Sequence, residues 1–278
     1  MIILKTYQKI LVRMEAFKKH PLTKDNVGTA LFKYCKFHIY QILYPKTRIY
    51  TFFGGLKFYA KRGEAGIVAN VYYTLFDYEE LMFLIHHLKK NDLFVDIGAN
   101  VGHFSLLAAG ICKAAVISIE PVPETFQKLN NNISLNKLDS KVQTLNVGVA
   151  EQNGTLKFTD GSGVMNSVST DSNGIEVEVK TLDDILYQKS PRFLKIDVEG
   201  YEYFVLKGAK HVLKNPDLKF IIIKFNFSVS KYGHENSEIF EILTNHNFVP
   251  IAYNVVTKEF KEMDSFNTDK FNTIFIRK

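Results

Sequence analysis

The chain has 278 residues, of which 46% are hydrophobic and 23% charged, so it has enough apolar material for one large core and is neither disordered nor fibrous. Its formal net charge is +6, from 35 Lys and Arg against 29 Asp and Glu, and this modest excess favours scattered surface lysines over a nucleic-acid-binding tract. The two cysteines, Cys35 and Cys112, stand far apart and in no metal-binding spacing, which indicates a reducing compartment with neither a disulfide framework nor a zinc site.

The first 78 residues predict an appendage that precedes the main domain. As far as about residue 48 this segment is basic, and Ile10, Met14 and Phe17 recur at helical spacing. The same period continues at five later positions: Leu31, Tyr34, Cys35, His38 and Ile42. Such stripes most often pack on a core, and the alternative is an amphipathic surface that contacts a membrane or a partner protein. No signal peptide and no run of membrane-spanning length is visible, so we expect a cytoplasmic protein.

Two further elements complete the appendage and begin the main domain. From residue 49 to residue 73 the pattern is β-rich, and a Gly-Gly pair between Tyr50–Phe53 and Leu56–Ala60 predicts a hairpin. An amphipathic helix is then predicted over Glu79–Lys90. It ends at Asn91, because Asn suits the left-handed residue that closes many helices.

From Asp92 onward short apolar runs alternate with helical patterns, which is typical of βαβ units and a mostly parallel sheet. Seven core strands are predicted: Leu93–Val95, Val116–Ile119, Val142–Val149, Phe193–Ile196, Phe220–Phe225, Val249–Tyr253 and Thr273–Ile276. Helices are predicted between them: from about Gly102, and over Pro123–Asn136, Tyr201–Leu213 and Glu235–Asn245.

The pattern therefore predicts a doubly wound α/β fold, with a seven-stranded sheet in residues 79–278 and the helical and hairpin appendage in residues 1–78. Residues 151–190 interrupt the alternation with Gly, Asn and Ser turns and a β-like run at Glu176–Lys180. We interpret them as an inserted β region beside the edge of the sheet where ligands bind.

The turn after the first of these strands, Asp96-Ile97-Gly98-Ala99-Asn100-Val101-Gly102, is the first candidate site. Glycines at such a turn allow the backbone to approach a ligand, and the next helix points its N-terminus at the same place. A nicotinamide cofactor is disfavoured, because Asn100 and His103 occupy two glycine positions of its fingerprint and an Asp at the strand end repels a pyrophosphate. Asp96 suits the cationic, zwitterionic end of S-adenosylmethionine, and the alternative is a plain tight turn in which Asp96 caps the helix.

Glu120 ends the second strand, 24 residues after Asp96. Open α/β folds place at this position the acid that accepts both hydrogen bonds of a ribose diol. The spacing therefore predicts that Glu120 contributes to the same cofactor site.

A second acidic cluster follows the strand Phe193–Ile196, at the edge of the sheet where ligands bind. Asp197 is a candidate general base for a substrate hydroxyl or a ligand of a divalent ion, and Glu199 is a candidate for positioning the substrate or tuning its neighbour. For Glu199 the alternative is a helix cap near the positive end of a helix dipole. The role of Lys195, inside the strand, is left open.

Taken together, three segments resemble the FkbM-type methyltransferase family from about His20 to the C-terminus. They are Phe94–Gly102, then Ile119-Glu120-Pro121 with Asn130 and Asn136, and then Leu194-Lys195-Ile196-Asp197-Val198-Glu199-Gly200-Tyr201-Glu202 with Leu206 and Gly208-Ala209. The resemblance implies a class I methyltransferase fold and transfer of a methyl group from S-adenosylmethionine to oxygen, commonly to a hydroxyl of a sugar or natural product.

The same resemblance assigns residues to roles. It places Asp96, Gly98, Asn100, Gly102 and Glu120 in the cofactor site, and Asp197 with Glu199 on the reaction face. It assigns no metal ligand. The implied partner is a small-molecule or glycan acceptor, with no nucleic acid, and a peripheral membrane contact stays open.

One position departs from the family pattern. The strand from Phe220 runs into Lys224, where related sequences usually carry an acid. A lysine there reverses the local charge, which indicates a different acceptor, a weakened enzyme, or an ion pair with Asp197 or Glu199. The alternative function is therefore a non-catalytic module that binds S-adenosylmethionine and acts through partners.

Overall fold

The structure is a computed structural model that describes residues 2–159, 167–169 and 174–278. It divides into two compact units, Met1–Tyr78 and Glu79–Lys278. Part of the predicted insert, residues 160–166 and 170–173, lies outside the described residues. Among the helices that are described, none combines the length and the apolar character needed to cross a membrane.

The first unit contains three helices and one hairpin among its described residues: α1 Ile2–Lys19, α2 Val27–Leu43, β1 Arg48–Thr51, β2 Lys57–Ala60 and α3 Ala65–Tyr73. The hairpin is confirmed, since β1 and β2 pair antiparallel. Its turn uses left-handed backbone at Gly54 (φ 65°) and Gly55 (φ 82°), where glycine avoids the steric cost of a side chain. The β-rich prediction up to residue 73 is wrong beyond β2, because α3 is helical.

The buried face of α2 differs from the one that the spacing predicted. The fully buried side chains are those of Ala30, Phe37 and Gln41, whereas Ile42 is exposed. Gln41 can be buried because its amide donates to the Lys46 carbonyl and accepts from a backbone N–H of the hairpin region. The buried face of α2 therefore includes a polar residue with satisfied hydrogen bonds, and it differs from the face that the apolar spacing predicted.

Charge is divided unevenly between the two units. Residues 1–78 carry 13 Lys and Arg against four Asp and Glu, a net charge of +9, whereas residues 79–278 carry 22 against 25, a net charge of −3. The composition of the whole chain conceals this difference.

The second unit alternates strands and helices, as its sequence predicts. Its strands are β3 Leu93–Ile97, β4 Ala115–Ile119, β5 Val142–Leu145, β6 Gly148–Val149, β7 Gly154–Phe158, β8 Ile175–Lys180, β9 Phe193–Ile196, β10 Phe220–Lys224, β11 Phe248–Tyr253, β12 Phe260–Glu262 and β13 Asn272–Arg277. Its helices are α4 Tyr78–His87, which begins one residue before the unit, α5 His103–Gly110, α6 Pro123–Leu135, α7 Leu182–Ile185, α8 Glu202–Lys207, α9 Lys210–Lys214 and α10 Asn236–Asn245.

Eight of the described strands form one large sheet in the order β12-β11-β13-β10-β9-β3-β4-β5. The run β10-β9-β3-β4-β5 is parallel, and β13 pairs antiparallel with both β10 and β11. This is the class I methyltransferase type of doubly wound sheet, and each of the seven predicted strands contributes to it. The eighth strand is the three-residue edge strand β12, which the sequence did not predict.

The predicted strand Val142–Val149 is wrong in its length. β5 ends at Leu145, and β6 belongs to a separate three-stranded sheet with β8 and β7. Between them the side chain of Asn146 donates to the carbonyls of Glu120 and Pro121, at 2.9 Å each. These bonds hold the chain where it leaves the large sheet.

Two predicted helices are shorter than the sequence indicated. The helix over Tyr201–Leu213 is two helices, α8 and α9, separated at Gly208, where the backbone passes so close to Ala150 that an added Cβ would lie 2.1 Å from its carbonyl oxygen. The side chain of Asp183 then accepts the first backbone N–H groups of α9. α4 ends at His87, and Asn91 is left-handed (φ 71°) in the turn that follows.

The main core lies between the central strands and the helices of the second unit. Side chains of β3, β9 and β10 are buried against those of α8, α9 and α10. Strands buried in this way have near-continuous apolar sequences, so a polar residue at a strand end is exceptional. The polar residues at these ends form the candidate site.

Candidate active site

Four neighbouring strands place charged side chains at one edge of the sheet. In spatial order the strands are β10, β9, β3 and β4, and their carboxyl-terminal ends carry Lys224, Asp197, Asp96 and Glu120 respectively. Because these strands are parallel, their ends meet at the same edge, where ligands of open α/β sheets bind. The structure thus brings together acids that lie about 100 residues apart in sequence.

The turn after β3 is held in shape by its neighbours. Gly98 is left-handed (φ 75°), and its N–H and that of Ala99 donate to the Ile119 carbonyl at 3.0 and 2.9 Å. A Cβ at Gly98 would lie 1.9 Å from the carbonyl oxygen of Asp197. Glycine is therefore required here for the close approach of two strand ends, and Gly102 (φ 93°) is the N-cap residue that precedes α5.

Asp96 is buried beneath this turn. Its carboxylate accepts a hydrogen bond of 2.6 Å from the hydroxyl of Ser105, which lies 2.7 Å from the hydroxyl of Ser118. Burial raises the pKa of Asp96, and the hydrogen bond from Ser105 offsets part of that effect. The carboxylate therefore connects the end of β3 to α5 and to β4.

Glu120, at the end of β4, holds the same turn through hydrogen bonds from backbone N–H groups. One carboxylate oxygen accepts the Asn100 N–H at 2.9 Å and the other accepts the Val122 N–H at 3.1 Å. Burial raises the pKa of Glu120 to about 7. Each carboxylate oxygen has a second lone pair, so the group retains capacity to accept two more hydrogen bonds.

Asp197 lies between two lysines. Its carboxylate oxygens are 3.2 Å from the Lys195 ammonium and 3.1 Å from the Lys224 ammonium, and about a third of the side chain (31%) is exposed. Burial alone would raise the pKa of Asp197, but the two ammonium groups outweigh it and lower the pKa. The carboxylate therefore stays ionised well below neutral pH.

Lys224 pairs with both acids of the second cluster, which confirms the ion pair considered from the sequence. Its ammonium lies 2.9 Å from the Glu199 carboxylate as well as against Asp197. Burial would lower the pKa of Lys224, but the two carboxylates outweigh it and raise the pKa. Lys195, with 3% of its side chain exposed, completes a set of two cations and two anions whose charges balance.

Glu202 is a buried acid to which sequence reasoning gave no role. It begins α8, and its carboxylate accepts the backbone N–H of Val198 at 3.0 Å. Burial raises the pKa of Glu202 to about 7. The signal in the sequence was its place four residues after Val198, where a Glu at a helix start reaches back to the preceding loop.

The described part of the chain holds no group of three or more His, Cys, Asp or Glu side chains placed to bind a metal ion. A cavity of about 790 Å³ lies within the first unit and is lined by residues of α1, α2 and α3, so none of the predicted cofactor residues lines it.

Comparison with known proteins identifies a family for this chain. Residues 96–250, just over half of the chain, match the family described as the methyltransferase FkbM domain. The hexuronic acid methyltransferase AglP of Haloferax volcanii is 27% identical, over 54% of this chain and 62% of AglP. Methyltransferase sdnD of Sordaria araneosa is 30% identical, over 45% of this chain and 63% of sdnD. The matches thus span less than two thirds of either relative.

Among solved structures, a Streptococcus mutans protein in complex with SAH is 12% identical, with a TM-score of 0.45 over 72% of this chain and 96% of that one. The family match includes Asp96, Glu120, Asp197 and Lys224, so the four strand ends of the candidate site all lie inside it.

Proposed function

The chain belongs to the FkbM methyltransferase family, and from that premise we propose that it transfers a methyl group from S-adenosylmethionine to a hydroxyl of a sugar or glycan. The observation that carries the proposal is the edge formed by β10, β9, β3 and β4. There a buried turn with a ribose-type acid stands beside a carboxylate whose charge is fixed by two lysines.

The carboxylates at the turn have the hydrogen-bonding capacity and the charge that the cofactor requires. Glu120 keeps a free lone pair on each oxygen, which suits the two hydroxyls of a ribose, and Asn100 N–H holds it in place. Asp96 would supply a second carboxylate under the turn, whose negative charge would favour the cationic end of the cofactor. When bound, the cofactor supplies an electrophilic methyl group on a positively charged sulfur.

On the reaction face, we assign Asp197 the role of hydrogen-bond acceptor for the acceptor's hydroxyl. Its low pKa makes it a weak base, so it orients the hydroxyl in the ground state and takes up the hydroxyl proton only as the new O–CH3 bond forms and the S–CH3 bond breaks, which leaves S-adenosylhomocysteine. Methyl transfer to a well-placed oxygen needs little more, since alignment alone supplies on the order of 7–11 kcal/mol of a barrier. Glu199 acts through Lys224, which it holds against Asp197.

The acceptor class is supported by one relative. AglP acts, by its name, on a hexuronic acid, and its match covers 54% of this chain and 62% of AglP. We extend the chemistry to this chain as a sugar hydroxyl. We also propose that the reaction takes place in a reducing compartment, because Cys35 and Cys112 are both free thiols.

The test is a methyl-transfer assay with the full-length chain, S-adenosylmethionine and a panel of nucleotide sugars, uronic acids and glycans. Formation of S-adenosylhomocysteine that depends on a sugar, with a mass increase of one methyl group on its oxygen, is expected. Methyl incorporation into RNA or DNA but into no sugar would overturn the acceptor class. Asp197→Asn is the control that separates turnover by this site from a contaminating activity.

The non-catalytic alternative was motivated by Lys224. Lys224 forms ion pairs with Asp197 and Glu199, the two acids that we assign to the reaction face. Its presence therefore does not indicate that the site has lost activity. The catalytic proposal therefore accounts for the departure from the family pattern.

A further inference from the structure

The solvent face of α2 is apolar. Phe32, Ile39 and Leu43 are 65%, 58% and 66% exposed. Positions i, i+7 and i+11 lie within about 40° of one another around a helix, so these three side chains form one line, which we call the apolar stripe. Ala30, Phe37 and Gln41 are buried on the opposite side of the helix.

Exposure of this kind is concentrated in the first unit. Residues 1–78 contain ten of the fifteen large hydrophobic side chains that are prominently exposed in the described chain, although they make up little more than a quarter of the sequence. Single exposed apolar residues are ordinary on soluble proteins, but an aligned set on one helix marks an interaction surface.

The charge around the apolar stripe indicates what it contacts. α2 contains Lys33 and Lys36 and no carboxylate, and the Lys36 ammonium lies 5.9 Å from the centre of the Phe32 ring. The unit as a whole has a net charge of +9. A second copy of the chain would bring the same positive charge to the contact, whereas an anionic surface would neutralise it.

We propose that the first unit binds an anionic lipid membrane, with α2 lying in the interface and its apolar stripe inserted between the headgroups. Helices of this type combine an apolar line with flanking lysines, and their affinity grows with both the inserted apolar area and the negative charge of the lipids. The proposal does not rest on the methyltransferase function, since it uses no residue of the candidate active site.

The test is co-sedimentation of the full-length protein with vesicles. One set contains phosphatidylcholine alone and the other contains phosphatidylcholine with phosphatidylserine. Binding to the anionic set alone, weakened by added salt, is expected. The variant Phe32→Gln/Ile39→Gln/Leu43→Gln should lower the partition coefficient by at least about tenfold, because these exposed side chains contribute the inserted apolar area.

A matched control removes the same number of exposed apolar side chains from the second unit. Tyr187, Val256 and Phe260 are 73%, 88% and 49% exposed, and changing all three to Gln should leave vesicle binding as in the wild type. The variant Lys33→Gln/Lys36→Gln should weaken anionic binding by about fivefold for each lysine and leave the apolar stripe intact.

Three results would overturn the proposal. The first is equal binding of the stripe variant and the wild type to anionic vesicles. The second is equal binding of the wild type to neutral and anionic vesicles. The third is a wild-type dimer that the stripe substitutions convert to a monomer without changing vesicle binding, since a second copy would then cover this face. Circular dichroism spectra and thermal unfolding curves, expected to match those of the wild type, show that each variant is folded. Titration with S-adenosylmethionine, expected to be unchanged in every variant, keeps this test separate from that of the active site.

Discussion

The two units of this chain arrange charge and apolar surface in opposite ways. In the second unit, cations and carboxylates lie at strand ends and neutralise one another, as in the set of Lys195, Asp197, Glu199 and Lys224. In the first unit, the positive charge is in excess and large apolar side chains point to solvent along α2. The net charge of +6 therefore describes neither unit. This difference is the basis for our proposals that the second unit binds a small ligand and that the first unit binds a membrane surface.

The comparison predicts that substitutions in one unit leave the property of the other unchanged. The largest expected effect is on turnover. Asp197→Asn keeps the shape of the side chain but removes its charge, and we expect kcat to fall by about 10²- to 10³-fold, because the acceptor's hydroxyl loses a charged hydrogen-bond partner. The Kd for S-adenosylmethionine and the binding to anionic vesicles should stay within a factor of three or so of wild type. Normal kcat would remove Asp197 from the reaction.

A substitution of Glu120 tests the proposed cofactor site of the second unit. Glu120→Gln removes the charge that would strengthen two hydrogen bonds to a ribose, so the Kd for S-adenosylmethionine should rise by about 10- to 100-fold. Isothermal titration measures it. Glu124→Gln, an exposed acid on α6, is the matched control and should bind as wild type. Equal affinities for the two variants would show that Glu120 does not contribute to cofactor binding.

The sequence predicts the features of this edge that follow from local sequence patterns, but not those that depend on contacts between distant parts of the chain. Asp96, Glu120 and Asp197 each follow a short apolar strand, so their meeting at one edge follows from parallel topology alone. The pairing of Lys224 with both acids depends on the register of β9 against β10, in which Ile196 faces Ile223, and this contact joins distant parts of the chain. The sequence offered that ion pair only as one of several outcomes.

Two further features also depend on specific contacts with other parts of the chain, so local sequence patterns do not predict them. The break between α8 and α9 lies at Gly208, which approaches Ala150, nearly 60 residues away in sequence. The orientation of α2 is set by hydrogen bonds of Gln41 to Lys46 and Arg62. Helical spacing detects both helical regions, but it does not register a glycine contact or a satisfied amide.

Buried acids also affect stability, and the effect belongs to the second unit. The pKa of Glu202 is raised from 4.5 to about 7 in the folded protein, so the folded state favours the protonated form. Stability is then lost as the pH rises from about 4.5 to about 7. Glu202→Gln removes this loss. The free energy of unfolding of the variant minus that of the wild type should therefore be about 2–3 kcal/mol larger at pH 8 than at pH 4.5.

Denaturant unfolding at the two pH values measures the difference for Glu202→Gln, with the constant cost of the substitution cancelling between them. A difference that does not change with pH would contradict the raised pKa. The exposed Glu178 on β8 provides the control, since Glu178→Gln should show no such pH dependence.

The smallest predicted effect concerns the lysine that departs from the family pattern. Lys224→Met removes one of the two cations that lower the pKa of Asp197, so that pKa should rise. Activity that needs the carboxylate is lost as the pH falls through this pKa. The acid limb of the kcat profile should therefore move to higher pH, while Lys214→Met, at the end of α9, leaves it in place. An unshifted limb would show that Lys224 does not act through Asp197.

The central claim is that the edge formed by β10, β9, β3 and β4 binds S-adenosylmethionine. Isothermal titration of the purified full-length protein with S-adenosylmethionine, and separately with NAD, tests it most directly. The account predicts saturable binding of S-adenosylmethionine in the micromolar range and none of NAD. Binding of NAD, or a folded protein that takes up no S-adenosylmethionine, would contradict it.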